Sequence, residues 1–161
     1  MRVMVFVKAT KDSENGAPPT REAMDAMSRF NLELHKAGIL LMAEGLKPTS
    51  QAARVAFDGA GRTVIDGPCA ETRELVAGFW LWEVKDMEEA IAWVKRCPNP
   101  MPGPSEIDIR PLFEMADFVK LMPADVADIP DRVARWEAVN ARSPASAEPN
   151  GTEGKVSATA L

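Results

Sequence analysis

The 161-residue chain holds a single histidine, two cysteines and no run of lysine or arginine. Each scarcity narrows what it can do. The thiols, Cys69 and Cys97, show no metal or redox spacing, so both are expected to be free. The missing basic run, a net charge of -5 and a pI of about 5.0 argue against nucleic acid as a partner. No segment reaches the roughly 18–20 apolar residues of a membrane helix, so no membrane partner is expected. No phosphate-cradling glycine loop, Ser/His/Asp order or zinc pattern is present, so neither a cofactor nor a metal is expected. The opening MRVMVFVKAT has a short apolar run but no small-residue cleavage site. It reads as a strand rather than a signal peptide, and the cytoplasm is the expected location.

What is present is ordinary globular material. Hydrophobic residues make up 46% and charged residues 27%, enough for one core in one domain with an appendage. Val3, Val5 and Val7 alternate with Met4 and Phe6, which predicts a strand over 2–8. DSENGAPP (12–19) predicts a loop. Thr20 caps a helix running to about Ala37 and stopped by Gly38, with Ala23, Met27, Phe30, Leu34 and Ala37 as its apolar stripe. A strand over 39–45 follows, then a hairpin of QAARVAF and RTVI around DGAG. AGFWLWEV (77–84) predicts a strand with Phe79 and Leu81 on one side and Trp80, Trp82 and Val84 on the other. Asp86 and Glu89 make a capping box for a helix carrying Met87, Ala90, Ile91 and Val94 on one face and stopping before Pro98. PNPMPGP is extended loop, and SEIDIRPLF is the last strand. Short helices are predicted over 114–121 and 131–142, and the polar tail from 143 is expected to be disordered.

The order β-α-β-β-(β)-β-α-β is the split βαβ, ferredoxin-like arrangement, an α+β fold whose antiparallel sheet carries both helices on one face. A solvated opposite face should be polar at alternate positions. Instead Met4 and Phe6, and with them Trp80 and Trp82, are expected to lie there. Leaving large apolar side chains in water forfeits about 1.5–3 kcal/mol each. A homodimer packed sheet to sheet, a dimeric α/β barrel, is therefore expected, since a two-fold self-contact is the commonest assembly. The alternative is that the C-terminal helices fold back over the sheet of their own chain.

DGPCAETRE (66–74) resembles the D-G-P-F-A-E-T-K-E signature of the DGPF branch of the YCII-related proteins. LHKAGILLMAEGLKPT (34–49) is similar to that family's helix end and following strand, GFWLWEVKDMEEAIAWVKRCP (78–98) to its aromatic strand and second helix, and IDIRPLFEM (107–115) to its closing strand. The resemblance covers residues 1–115. It leaves a helical extension over 116–142 and the tail over 143–161. It implies a ferredoxin-like fold, a dimeric α/β barrel and a cleft of unassigned use. It also implies a regulatory or stress-linked role, because genes of this branch often lie beside those of extracytoplasmic-function sigma factors. Two departures stand out. Cys69 replaces the phenylalanine of the signature, and the early-helix position where enzymatic YCII relatives place a histidine falls near Met27. The histidine-aspartate chemistry of those relatives is therefore not carried over, and His35, eight residues later, is not its obvious substitute.

Asp66, Gly67 and Pro68 combine a carboxylate with a rigid turn. The carboxylate can serve a cleft mouth as base or polar anchor, or it can tie the turn by bonding backbone N–H groups two residues on. Glu71 and Arg73 offer an acid and a base to rim a pocket, or to neutralise one another. His35 titrates near neutrality and is a candidate acid or base, although a helical histidine at a stripe edge is more often structural. Trp80 can line a pocket for a flat ligand, or belong to core or interface. No histidine is visibly placed to activate Cys69, which favours a bystander thiol.

Three functions follow as expectations. The first is a dimeric small-molecule-binding or regulatory protein whose cleft lies between the sheet and the DGPCAETRE loop, with Asp66, Gly67, Pro68, Glu71, Arg73 and Trp80 holding the ligand. The second is a small cofactor-free enzyme with lyase- or isomerase-like proton transfer through Asp66 or His35. The third is an interaction module whose C-terminal helices contact a sigma factor or another protein.

Overall fold

The computed structural model describes residues 1–68, 74–121 and 129–140. They belong to two compact units, Met1–Phe113 and Glu114–Leu161. In the first, β1 (Arg2–Lys8) leads through a single helical turn, α1 (Lys11–Glu14), to α2 (Arg21–Lys36) and β2 (Leu40–Gly45). A ribbon of β3 (Ala53–Asp58) and β4 (Gly61–Asp66) follows, then β5 (Val76–Glu83), α3 (Met87–Arg96) and β6 (Ile107–Pro111). The four-stranded sheet has the order β2-β5-β1-β6 with every pair antiparallel. That is the ferredoxin-like order, with β3 and β4 forming a separate two-stranded sheet.

Local chemistry sets the ends of these elements. The Thr20 hydroxyl accepts from the Ala23 N–H and starts α2, and Gly38, at φ +72°, takes the left-handed conformation that ends it. Asp86 accepts from the Glu89 N–H to start α3, while the Glu89 carboxylate takes the Lys85 N–H instead of reaching back to Asp86. The stretch expected as loop over 12–19 begins with a turn of helix. Thr10 and Ser13 exchange side-chain and backbone bonds, a reciprocal cap that stabilises one turn where periodicity predicts none.

The core lies between the sheet and the two longer helices. Val3, Val5, Val7, Trp80, Trp82 and Val84 meet Phe30 and Leu34 of α2 and Ala90 of α3. Phe30 stands edge-on to both Trp80 and Trp82, with ring centres 6.4 Å apart in each case. Along α3 the inward face includes Met87, Ala90, Trp93 and Val94, whereas Ile91 is exposed.

The register corrects one expectation. Val3 pairs with Trp82 and Val5 with Trp80, and directly opposite residues share a face. Both tryptophans therefore lie under the helices with the valines. The opposite face carries Met4 opposite Leu81 and Phe6 opposite Phe79, all half-buried. Met42 and Glu44 flank that patch from β2, and Asp108 and Arg110 from β6.

In the second unit, α4 (Met115–Leu121) and α5 (Ile129–Asn140) pair, with the Phe118 and Trp136 rings 5.6 Å apart. The tail expected to be disordered lies outside the described residues. No helix among the described residues is long and apolar enough to cross a membrane.

Candidate functional site

The antiparallel sheet brings three small residues together. Gly45 of β2 pairs with Gly78 of β5, and Ala43 pairs with Trp80 two residues on. Gly78 also faces Val7 of β1. Ala43 and Gly45 leave a hollow under α2 that longer side chains would fill, whereas Gly78 is set by close approach, since a Cβ there would meet the Glu44 carbonyl oxygen at 2.9 Å. The result is an open cavity of about 240 Å³. Met27 and Asn31 of α2 wall it on one side, and Pro100 and Met101 of the proline-rich loop wall it on another. Glu44 and Phe79 border it as well, but strand alternation puts their side chains on the other face of the sheet.

The loop over the cavity is held by one side chain. Asn99 donates to the Gly103 carbonyl and accepts from the Met101 N–H and the Ser105 hydroxyl. Prolines at alternate positions supply few N–H donors of their own, so this asparagine substitutes for backbone bonding. Inside the cavity, the Trp80 Nε1–H donates to Asn31 Oδ1 over 2.8 Å. Asn31 sits four residues after Met27 and three before Leu34, on the core-facing side of α2. No motif marks Asn31 in the sequence; its one signal is a polar residue at a position where the apolar stripe continues on both sides.

A second, wider hollow of about 760 Å³ lies at the end of β1, lined by Lys8, Thr10, Glu74, Ser105 and Asp108 among others. The Lys8 ammonium stands 3.3 Å from Asp108 and 3.6 Å from Glu74. Burial pulls the Lys8 pKa down, but the hydrogen bond and charge of Asp108, with Glu74 behind it, more than offset this and hold it above 10.5. Lys8 is thus a fixed cation pairing the end of the DGPCAETRE stretch with β6.

The residues predicted for the site do not all meet. Trp80 lines the first cavity. Asp66 closes β4 opposite Ala53 and is exposed, and it borders neither hollow. Gly67 donates its N–H to the Ala52 carbonyl. A Cβ on Gly67 would come within 1.6 Å of the Thr49 carbonyl oxygen, so the glycine of the Asp-Gly-Pro turn is where two backbones touch. Pro68 follows at the edge of the described residues, and Glu71, Arg73 and Cys69 lie outside them. His35 is exposed in the last turn of α2, and among the described residues no hydrogen bond or ion pair joins it to Asp66 or Glu44.

Cys97 packs against the core, and its thiol donates to the Pro98 carbonyl. Burial pushes its pKa up to about 11, which keeps it a thiol at neutral pH. Among the described residues, no three His, Cys, Asp or Glu side chains gather where a metal ion could be held.

Comparison with known proteins agrees with this architecture. An uncharacterized protein of Rhizobium meliloti (strain 1021) is 34% identical over 89 residues, which is 55% of this chain and 69% of the relative. The YCII-related domain matches residues 1–116, which takes in the sheet, α2, α3 and both hollows. With most of the chain matched and the ferredoxin-like strand order in place, this chain belongs to the YCII-related family.

Proposed function

We propose that the chain is a small-molecule-binding protein of the DGPF type that works as a homodimer in a regulatory role. The observation that carries this is the character of the cavity under α2. Its floor is Ala43, Gly45 and Gly78, and its walls are Met27, Met101 and Trp80. Small residues open space, and thioethers and an indole line it with soft apolar surface. Proton transfer wants a carboxylate or imidazole set at the reacting atom. Here Met27 stands near where enzymatic relatives place a histidine, which supports binding over catalysis. In this reading Trp80 is the predicted site residue that lines the cavity, Asp66 lies away from it, and the link to sigma factors rests on the resemblance.

The dimer is supported by the other face of the sheet. Met4, Phe6, Phe79 and Leu81 form an apolar centre flanked by Glu44 on one side and by Asp108 and Arg110 on the other. An apolar centre with a charged rim suits a self-contact.

Two measurements test the reading. Native mass spectrometry is expected to give twice the 17.5 kDa chain mass, and a monomer would remove the dimer. Titration with ethylbenzene, followed by NMR of the Trp80 indole N–H, is expected to move that resonance. Ala43→Leu, which fills the floor, should abolish the shift. No shift in the wild type, with ethylbenzene or with a carbonyl-bearing ring of the same size, would remove the binding function.

A further inference from the structure

The cavity has one polar anchor, and its orientation is determined. An indole N–H can only donate. Asn31 must therefore turn Oδ1 towards Trp80, whichever way amide oxygen and nitrogen are first assigned. That leaves the Nδ2 hydrogens of a half-buried amide, on the wall of an apolar cavity, with no protein acceptor among the described residues. These hydrogens are accessible from the open cavity, so a ligand acceptor that reaches them takes a place solvent can otherwise fill. The cavity thus asks for an acceptor at one point and apolar surface elsewhere.

Size and charge narrow the class further. An apolar cavity of about 150 Å³ accommodates benzene, so about 240 Å³ takes one ring with a short substituent. Burying an ionised group against Met27, Met101 and Trp80 would be costly, which selects a neutral molecule. Building on the binding function above, we propose that the cavity holds a neutral single-ring aromatic carbonyl compound. Its ring lies against Trp80 and the two methionines, and its carbonyl oxygen accepts from Asn31 Nδ2.

The test compares acetophenone with ethylbenzene, which has similar size and lacks the acceptor. Affinities are read by NMR from the Trp80 indole N–H and the Asn31 side-chain amide. The wild type is expected to prefer acetophenone about fivefold, the worth of one net hydrogen bond, with the Asn31 amide protons shifting only for acetophenone. Asn31→Leu is expected to bring the two affinities within twofold. If that variant does not fold, the wild-type Asn31 amide shift decides alone. Equal affinities and an unmoved Asn31 amide, with Trp80 shifting for both probes, would overturn the carbonyl anchor and leave the binding function standing. A Trp80 resonance that responds to neither probe would overturn both.

Discussion

Gly67→Ala puts the role of the Asp-Gly-Pro turn to the test. An added Cβ would meet the Thr49 oxygen at 1.6 Å and the Thr49 carbonyl carbon at 2.7 Å. Real contacts of this kind do not come below about 3 Å, so one backbone must give way. Either β4 retreats, losing the 2.9 Å bond from the Gly67 N–H to Ala52 and loosening the Ala53–Asp66 pair, or the turn at Thr49 moves away. The second route breaks the bonds from the Thr49 N–H and hydroxyl to the Glu14 carboxylate. Each lost bond is worth about 0.5–1.5 kcal/mol, and roughly 1.5–3 when one partner is charged. The cheaper route therefore costs about 1–3 kcal/mol, which is about 5- to 150-fold in an opening equilibrium. Every residue of β3 and β4 is exposed, and among the described residues the ribbon pairs with no other strand, so the loss should stay local. Amide hydrogen exchange is the assay. Amides of β3 and β4 should exchange faster by that factor, while those of β1 and β5 keep their wild-type rates. Wild-type exchange in the ribbon would refute the close-contact argument, because the added methyl would then have found room that the structure does not contain.

Three further perturbations have defined outcomes. Phe30→Ala removes a ring that contacts Trp80, Trp82 and Trp93 and should cost about 3–5 kcal/mol in urea unfolding; a loss below 1 kcal/mol would contradict its place in the core. In a Cys69→Ser background, Cys97, with its pKa raised by burial to about 11 from 9.0, should alkylate at pH 8 about a hundredfold more slowly in the native than in the unfolded chain. The same shift makes stability fall as pH rises from 9 towards 11, since the unfolded thiol ionises first; Lys8 adds a loss of the same sign above 10.5, and Cys97→Ala should flatten the first part of that slope. Phe6→Lys changes the centre of the helix-free sheet face of the first unit without entering the core and should convert the proposed dimer to monomer in sedimentation equilibrium; a dimer mass unchanged from the wild type would move the interface elsewhere.

Much of the fold is legible in short-range chemistry. Thr20, Gly38 and Asp86 mark helix ends because caps are local bonds within three or four residues. DGAG marks the hairpin because Gly59, at φ +53°, supplies a left-handed turn. The phase of the faces is a different matter. Alternation along β5 separates Phe79 and Leu81 from Trp80 and Trp82, yet both sets are apolar, and only pairing with β1 says which set meets the helices. Lys8, Glu74 and Asp108 come from separate strands and connections, so their cluster has no signature in any window of sequence. The cavity is harder still, because it consists of what Ala43 and Gly45 lack.

The two tryptophans of β5 set the proposed site apart from the core around it. They share a face, two residues apart, under the same helix, and Phe30 touches both. Trp82 is fully buried, and its indole N–H has no acceptor among the described residues. Burial of so large a ring outweighs that loss where packing is the only task. Trp80 lies two residues nearer the start of β5, beside the glycine pair, and there α2 turns an asparagine inward instead of a leucine. A purely structural helix gains more from an apolar residue at that position. The polar substitution and the missing side chains opposite it fall at the same point of the fold. Together they give up packing to make a hollow with one oriented donor, the combination that the proposed binding function requires and a core does not.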